Sequence, residues 1–489
     1  MTTSPQSPAR ESARDDVLLV RSVTVVNTRD GSVTPGTDVL VRDGRITEVR
    51  PGIEAPERLR ARVVDAKGLF VVPGYNDMHA HPLDQLPARS RDRDLRLLLA
   101  HGVTGFRQMS GSAGLLRARA EGTLDLPSDG ARPLSMPGTV LVTPLNAGSP
   151  EQGVATVRQQ HAAGADFIKV AMATPDVFFA AQQEALRLGL TIVGHLPQGI
   201  DVVRASGIGM KSVEHLGPGV GLFACCSSAP AAVQPDADGG GEDKLKAPPV
   251  KLPFMDRLID RMVKRLVINP VNRTTPQAVE RMRRAVDTYD SSMAHTLARR
   301  FVDDNTWQVP TLIRVKTQQI ADDRAFAEAP ELRHMDAPTL KRWRKATARF
   351  ARFPESARVT FRELYDRQLQ LTHAFDDAGV SMLAGSDTSG AGWVVPGASL
   401  HREFDELGRA GLSPLRVLQM ATLRPAEFLG TTDTMGTVEP GRLADLVLLR
   451  ANPVDDVENL HAVAAVIRDG RYYSETDLTA IKNRATNDR

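Results

Sequence analysis

The chain has 489 residues, 42% of them hydrophobic and 25% charged, and 61 Lys and Arg stand against 59 Asp and Glu for a formal net charge of +2. That balance offers no broad field to gather nucleic acid or an anionic membrane, and no segment has the apolar length to span a bilayer. The length fits one barrel with a small companion domain, or two or three ordinary domains.

Residues 1–16 are polar, with Arg10, Glu11, Arg14 and Asp15 and no apolar stretch. They match neither a signal peptide nor an anchor and are expected to form a disordered tail. Cytoplasmic residence is the default that follows. Cys225 and Cys226 are adjacent, a spacing poorly suited to a stapling disulfide, and agree with a reducing compartment.

Between 17 and 72 the texture is β: Leu18-Leu19-Val20, Val23-Thr24-Val25-Val26, Asp38-Val39-Leu40-Val41 and Arg45-Ile46-Thr47-Glu48-Val49 alternate or run with β-branched residues. Asp30-Gly31, Asp43-Gly44 and Pro51-Gly52 punctuate them, and the segment reads as antiparallel.

From 73 to 429 short apolar runs alternate with amphipathic stretches of helical length. Leu69-Phe70-Val71-Val72 leads through Pro73 and Gly74 to His79 and His81. Phe167-Ile168 runs into Lys169, Leu190-Thr191-Ile192-Val193-Gly194 into His195, Lys211-Ser212-Val213-Glu214 into His215, and Val380-Ser381-Met382-Leu383-Ala384-Gly385-Ser386 into Asp387. Runs bounded by glycine or a turn read as buried strands, so each of these residues is expected at a strand's carboxyl end. The clearest helix is 174–188: Thr174 can cap it, Pro175 suits its first turn, Val177, Phe178, Ala181, Ala185 and Leu188 share a face, and Gly189 ends it. The steps from Lys169 to His195 and from His195 to His215 each fit one strand-helix unit, and 102–109 supplies another. A β/α barrel collects its active site at the carboxyl ends of its strands.

The stretch from His215 to Asp387 is too long for the remaining units and implies an insertion, 216–303. Within it, 230–253 contains Gly239-Gly240-Gly241 and has loop composition; it is either a lid or substrate-selecting wall, or an inert surface loop. The β texture returns in 430–475, where Ala444 to Leu449, Ala462 to Ile467 and Tyr472-Tyr473 are expected to pair with 17–72, leaving 476–489 as a C-terminal tail. The fold expected is therefore α/β: a (β/α)8 TIM-like barrel, 73–429, with a small composite β-sandwich built from both chain ends.

The candidate site residues suit metal chelation. His-X-His on a strand aims both imidazoles to one side. Imidazole and carboxylate together fit zinc and similar divalent ions, with Asp387 beside His79 and His81, and with His195 and His215 placed for a second ion. No thiolate or methionine cluster favours copper. Lys169 is the odd member, because an ammonium repels metals; burial and neighbouring cations would make its neutral amine accessible.

Val72-Pro73-Gly74-Tyr75-Asn76-Asp77-Met78-His79-Ala80-His81, Gly164-Ala165-Asp166-Phe167-Ile168-Lys169, Val193-Gly194-His195, Ser212-Val213-Glu214-His215 and Ala384-Gly385-Ser386-Asp387 are joined by Ala421-Thr422-Leu423-Arg424-Pro425-Ala426 and Gly436-Thr437-Val438-Glu439-Pro440-Gly441-Arg442-Leu443-Ala444-Asp445-Leu446. In that order, from about Val17 to Tyr473, the chain resembles the amidohydrolase superfamily of metal-dependent hydrolases, and within it the imidazolonepropionase-related and prolidase-like branch. The resemblance implies two divalent ions, zinc by preference: His79, His81 and Asp387 on the inner, His195 and His215 on the outer, and Lys169 carboxylated by carbon dioxide between them. It further implies a bridging hydroxide as nucleophile, Asp387 as the proton carrier, a small-molecule amide or peptide as substrate, and a homo-oligomer. Imidazolonepropionase works with one metal, so Lys169 points to the two-metal relatives. The rival chemistry is lactone, ester or phosphotriester hydrolysis; the rival class is a non-catalytic scaffold, which the full ligand set opposes.

Other residues divide between a site role and a plain one. His401 either orients substrate or a ligand, or is a solvated helix-end residue. Arg314 and Lys316 either meet a substrate carboxylate or are solvated charges. Trp393 either walls the pocket or packs. His101, His161, His295, His334, His373 and His461 show no ligand spacing, and Cys225 and Cys226 lack a second pair to complete a metal site.

Overall fold

The structure, a computed structural model, describes residues 17–54, 61–85, 87–143, 145–197, 199–217, 219–234 and 268–487. The expected N-terminal tail and most of 230–253 lie outside these residues; of the latter, the short helix Pro230–Val233 is described. No helix among the described residues is long and apolar enough to cross a membrane.

The chain opens on β1 (Val17–Val26), β2 (Val33–Arg42) and β3 (Arg45–Arg50), paired antiparallel. Asp43 and Gly44 turn β2 into β3 with φ of 49° and 75°, the left-handed pair that a two-residue hairpin requires. β4 (Arg62–Asp65) and β5 (Phe70–Pro73) instead run parallel to β1. They follow one another along the same side of β1, so the expected antiparallel segment is a mixed sheet.

β6 (Tyr75–Ala80), β7 (Val103–Gln108) and β8 (Arg132–Ser135) form a parallel three-stranded sheet. β9 (Leu141–Val142), β10 (Phe167–Met172), β11 (Thr191–Gly194), β12 (Met210–Glu214) and β13 (Trp307–Val309) form a parallel five-stranded one in sequential order. Residues 380–388 lie between β13 and β6: Gln308 N–H donates to Ser381 O, Leu383 N–H to Gln308 O, Met78 N–H to Ala384 O and Asp387 N–H to His79 O. This is the strand order of a β/α barrel.

The helix between β10 and β11, Pro175–Arg187, shows why the intervening segments are helical. Pro175 enters at its first turn, Val177, Phe178, Ala181 and Ala185 are buried on one face, and Gly189 at φ 74° follows its end. Each large apolar side chain so buried contributes about 1.5–3 kcal/mol.

The excess between His215 and Asp387 is not confined to 216–303. Helices Pro276–Asp287 and Ser291–Asp303 fall inside that range, but Ala337–Phe350 and the long Glu355–Asp377 follow β13. Glu355–Asp377 packs against both earlier helices, so the extra chain is contributed from both sides of one barrel strand.

β14 (Leu446–Leu449), β15 (Val463–Arg468) and β16 (Arg471–Tyr473) return to the first sheet, β14 pairing antiparallel with β5. Both chain ends thus build the peripheral element, as expected. Hydrogen bonding joins its eight strands in one sheet, β16-β15-β14-β5-β1-β2-β3 with β4 also on β1, rather than in the two sheets of a sandwich. Strand alternation makes this sheet a shared wall: Val71, Leu446 and Leu448 face a core with Leu18, Val39 and Ile467, while Val72, Val447 and Leu449 face the main core. The expected C-terminal tail is a helix, Glu475–Asn487, whose Leu478 and Ile481 are buried with Leu99, Val466 and Tyr473.

Candidate metal centre

Five backbone segments deliver the candidate ligands. His79 is the fifth residue of β6 and His81 follows its end; their ring centroids are 5.4 Å apart. His195 and His215 follow β11 and β12 directly, and Asp387 ends the 380–386 run. Lys169 departs from the expected placement at a strand end. It is the third residue of β10, paired in register with Val193, and the strand continues to Met172.

The side chains converge. Ligand atoms of His79, His215 and Asp387 all lie within 4.8 Å of one another, and all three residues are buried. His81 Nε2 is 3.1 Å and His79 Nε2 3.5 Å from Asp387 Oδ1. The His195 ring lies 5.1 Å from that of His215. Lys169 is 3% exposed and its Nζ has no hydrogen-bond partner, an arrangement that is costly for an ammonium. Gly194 accommodates it: at φ 130°, a Cβ there would sit 2.2 Å from Val170 O and 3.1 Å from Lys169 Cδ.

Three of the imidazoles are held from behind at Nδ1. His79 Nδ1 lies 2.6 Å from Glu214 Oε2, His81 Nδ1 is 2.9 Å from Ser110 Oγ and 3.3 Å from Asp84 Oδ2, and His215 Nδ1 is 2.5 Å from Thr311 Oγ1. Engagement at Nδ1 leaves Nε2 as the ligand atom, the usual arrangement behind a metal-binding histidine. Together with a carboxylate and an unpartnered buried amine, this donor set fits divalent cations.

The electrostatics divide the histidines. Burial, reinforced by the charge of Lys169, holds His79 and His195 well below the ordinary histidine value; burial and the Arg314 charge do the same for His215. Neutral rings present lone pairs. Burial opposes a charge on His81, yet Asp387 and Asp84 outweigh it and push its pKa up to about 9. Burial would also raise Asp387, but His79, His81 and Arg314 hold it well below the carboxylate range. Burial brings Lys169 down to about 8. Backbone strain gathers at the same place: His215, Thr311 and Asp387 adopt φ of 60°, 47° and 57°, a region that non-glycine residues seldom occupy.

Several functional neighbours escape the sequence reading. Glu214 stands behind His79, and Arg107 and Ser212 behind Glu214. The available signal was Ser212 and Glu214 at alternate positions of β12, on one face of the strand with Met210. Arg314 is not a solvated charge: it is buried, with Nε 2.6 Å from Asp387 Oδ2. Lys316 pairs with Glu406 at 2.6 Å. Trp393 packs against Trp343 and donates to Thr347 Oγ1. His401 is buried against Tyr75 at the opposite end of β6, with Nε2 2.7 Å from His101 O, so it is neither solvated nor beside the ligands. Cys225 and Cys226 are free thiols.

A family model described as the amidohydrolase family matches residues 366–472. An imidazolonepropionase from Symbiobacterium thermophilum is 22% identical over 468 residues, which cover 91% of each chain. A dihydroorotase from Citrifermentans bemidjiense is 33% identical over 107 residues, 21% of this chain and only 24% of that protein. Among solved structures, bottromycin amidohydrolase superposes with a TM-score of 0.68 at 24% identity, covering 97% of this chain and 91% of its own. A Xaa-Pro dipeptidase with methionine in its active site gives 0.58 at 19% identity, covering 94% and 100%. These structural likenesses show a shared fold. With the His79, His215 and Asp387 cluster, the shared fold supports a metal-dependent hydrolase, and the family match is confined to residues 366–472.

Proposed function

We propose that the chain is a binuclear metal-dependent amidohydrolase that cleaves a C–N amide bond in a small molecule, dipeptide or N-acyl amino acid, on a closed eight-stranded barrel. The observation that carries this reading is Lys169: a buried amine whose Nζ has no hydrogen-bond partner, on the strand paired with the one that ends before His195. A neutral amine adds carbon dioxide, losing a proton, to become a carbamate with two metal-binding oxygens. His79, His81 and Asp387 would then hold one ion, His195 and His215 a second, and Lys169 both.

Bound there, two divalent ions would supply an activated water and polarise the scissile carbonyl. Asp387 manages the proton. Its carboxylate is kept ionised by His79, His81 and Arg314, takes a proton as the water oxygen bonds to the carbonyl carbon, and delivers it to the nitrogen as the C–N bond breaks. The branch nearest imidazolonepropionase and prolidase, zinc as the metal and a homo-oligomeric state belong to the same reading.

The test is a hydrolysis screen of purified, metal-analysed protein across dipeptides, N-acyl amino acids, cyclic amides, lactones and phosphotriesters. Chelator-sensitive amine release, restored by zinc, is expected. Turnover of lactones or phosphotriesters without any amide would overturn the bond class, and a protein that binds no divalent ion would overturn the whole reading.

A further inference from the structure

Beneath the ligand cluster lies a layer of buried polar groups that the proposed chemistry does not use. Arg107 on β7 and Glu214 on β12 are each 0% exposed, and Arg107 spans the interior between three strands. Its Nε donates to Met78 O on β6 at 2.7 Å, its Nη1 to Ser212 Oγ at 3.3 Å and its Nη2 to Glu214 Oε1 at 2.7 Å. Ser212 Oγ donates to the same Oε1 at 2.7 Å. Phe428 covers the guanidinium, its ring centroid 4.9 Å from Cζ. A charged pair withdrawn this far from water persists only when its hydrogen-bonding capacity is used, and the one carboxylate oxygen not held by Arg107 and Ser212 is Oε2. Oε2 faces His79 Nδ1 at 2.6 Å.

We propose that Glu214 is the positioning residue of the metal centre: anchored at Oε1 by Arg107 and Ser212, it accepts the Nδ1 proton of His79 at Oε2, and so fixes the tautomer and ring orientation that aim the Nε2 lone pair at the cluster. This rests on the reading of His79 as a metal ligand. His215 is backed by the Thr311 hydroxyl, which can donate or accept, and His81 by the Ser110 hydroxyl with the Asp84 carboxylate at 3.3 Å, whereas His79 faces a carboxylate at 2.6 Å, and an ionised carboxylate only accepts. The tautomer of His79 is thus dictated rather than chosen. Glu214→Gln breaks the arrangement either way. If the amide nitrogen faces Arg107 and Ser212, it sets a donor against the Arg107 guanidinium in a dry layer and Ser212 loses its acceptor; if it faces His79, it donates to Nδ1 and moves the ring proton to Nε2, closing the ligand atom.

The test uses metal-free and zinc-loaded full-length protein with 15N-labelled histidine, the His79 signals being assigned by their loss in His79→Gln. In metal-free wild-type protein the Nδ1–H tautomer is expected, and an Nε2–H tautomer would overturn the proposal whatever the variants do. Chelator competition should show zinc affinity about 10- to 100-fold weaker in Glu214→Gln, as is typical when the group behind a ligating histidine is removed. Equal affinity in a folded Glu214→Gln would also overturn it. Should that variant fail to fold, Ser212→Ala takes its place: it removes one anchor from Oε1, and a folded protein of unchanged affinity and unchanged His79 signals overturns the anchoring. Wild-type protein that binds no zinc at all would instead count against the metal reading, so the two failures are separable.

Discussion

Histidines gather at both ends of the barrel strands. At the carboxyl ends, His79, His81 and His215 each engage a side chain through Nδ1, and Nε2 of His79 and of His81 faces the buried carboxylate of Asp387. At the amino ends, His101, His401 and His461 stand about as close, with ring centroids 6.0 and 5.0 Å apart. There, however, the ring nitrogens turn outward: His101 Nδ1 donates to Leu97 O, His401 Nε2 to His101 O, and His461 Nε2 lies 2.8 Å from Asp405. Among the described residues no three ligand atoms converge in that second group. Ring proximity therefore does not define a metal centre; what decides is where the second nitrogen points once the first is tied down.

Substitutions should separate the two groups, beginning with the largest effect. Asp387→Asn keeps the shape of the side chain but removes the proton acceptor, and should lower kcat on whichever amide the screen identifies by about 10²- to 10⁴-fold, the range for losing a general acid-base group. The far-ultraviolet circular dichroism spectrum should be unchanged, and a kcat within a few-fold of wild type contradicts the role. Lys169→Ala comes next. The metal-to-protein ratio and turnover should both fall, with partial recovery on adding a short carboxylic acid that occupies the vacated space. Undiminished metal content would remove Lys169 from the centre.

The amino-end group should respond in stability instead. His401 is 6% exposed, and His401→Leu leaves the His101 carbonyl without its donor, at a cost of about 1–3 kcal/mol, with metal content unaffected. Burial, aided by the charge of His461, drops the His401 pKa to about 3. Above the unfolded value of about 6.5 both states are neutral; as pH falls below it the unfolded chain takes up the proton first, so stability is lost between about 6.5 and 3, at roughly 1.4 kcal/mol per pH unit. The stability gap between wild type and His401→Leu, measured by urea unfolding, should narrow from pH 7.5 to pH 5. A gap that widens refutes the burial account.

How far this contrast was legible in the chain depends on its range. The segments leading to His195 and Asp387 announce themselves because a buried parallel strand is a continuous apolar run ended by a turn. The apolar run expected to lead to His79 is instead β5 of the peripheral sheet, His79 lying on β6 after Asn76 and Asp77, and the strand before His215 carries Lys211, Ser212 and Glu214. Lys169 misleads the same reading: a charge normally marks the end of such a run, and only neighbours contributed by distant strands explain one in mid-strand. The parallel pairing of β4 and β5 with β1 is invisible for a similar reason, since periodicity reports a face and not a direction. The final helix carried its own signal in Leu478, Ile481 and Ala485, but that stripe is narrow, and it is the docking against Leu99 and Val466 that makes it a helix with a place. His401 defeats sequence reasoning altogether, because nothing local distinguishes a helix-start histidine in water from one sealed against Tyr75 and Phe404.

The smallest expected effect tests whether burial or residue type sets the cost within the amino-end group. The His461 side chain is 32% exposed and its partner Asp405 50% exposed, so water screens their contact. Pairs of this kind contribute between about 0 and 1 kcal/mol. His461→Gln should therefore shift the urea midpoint by less than His401→Leu does and leave metal content unchanged, although the two rings are only 5.0 Å apart. If His461→Gln proved as destabilising as His401→Leu, the cost would belong to the cluster as a unit and not to the one histidine sealed from solvent.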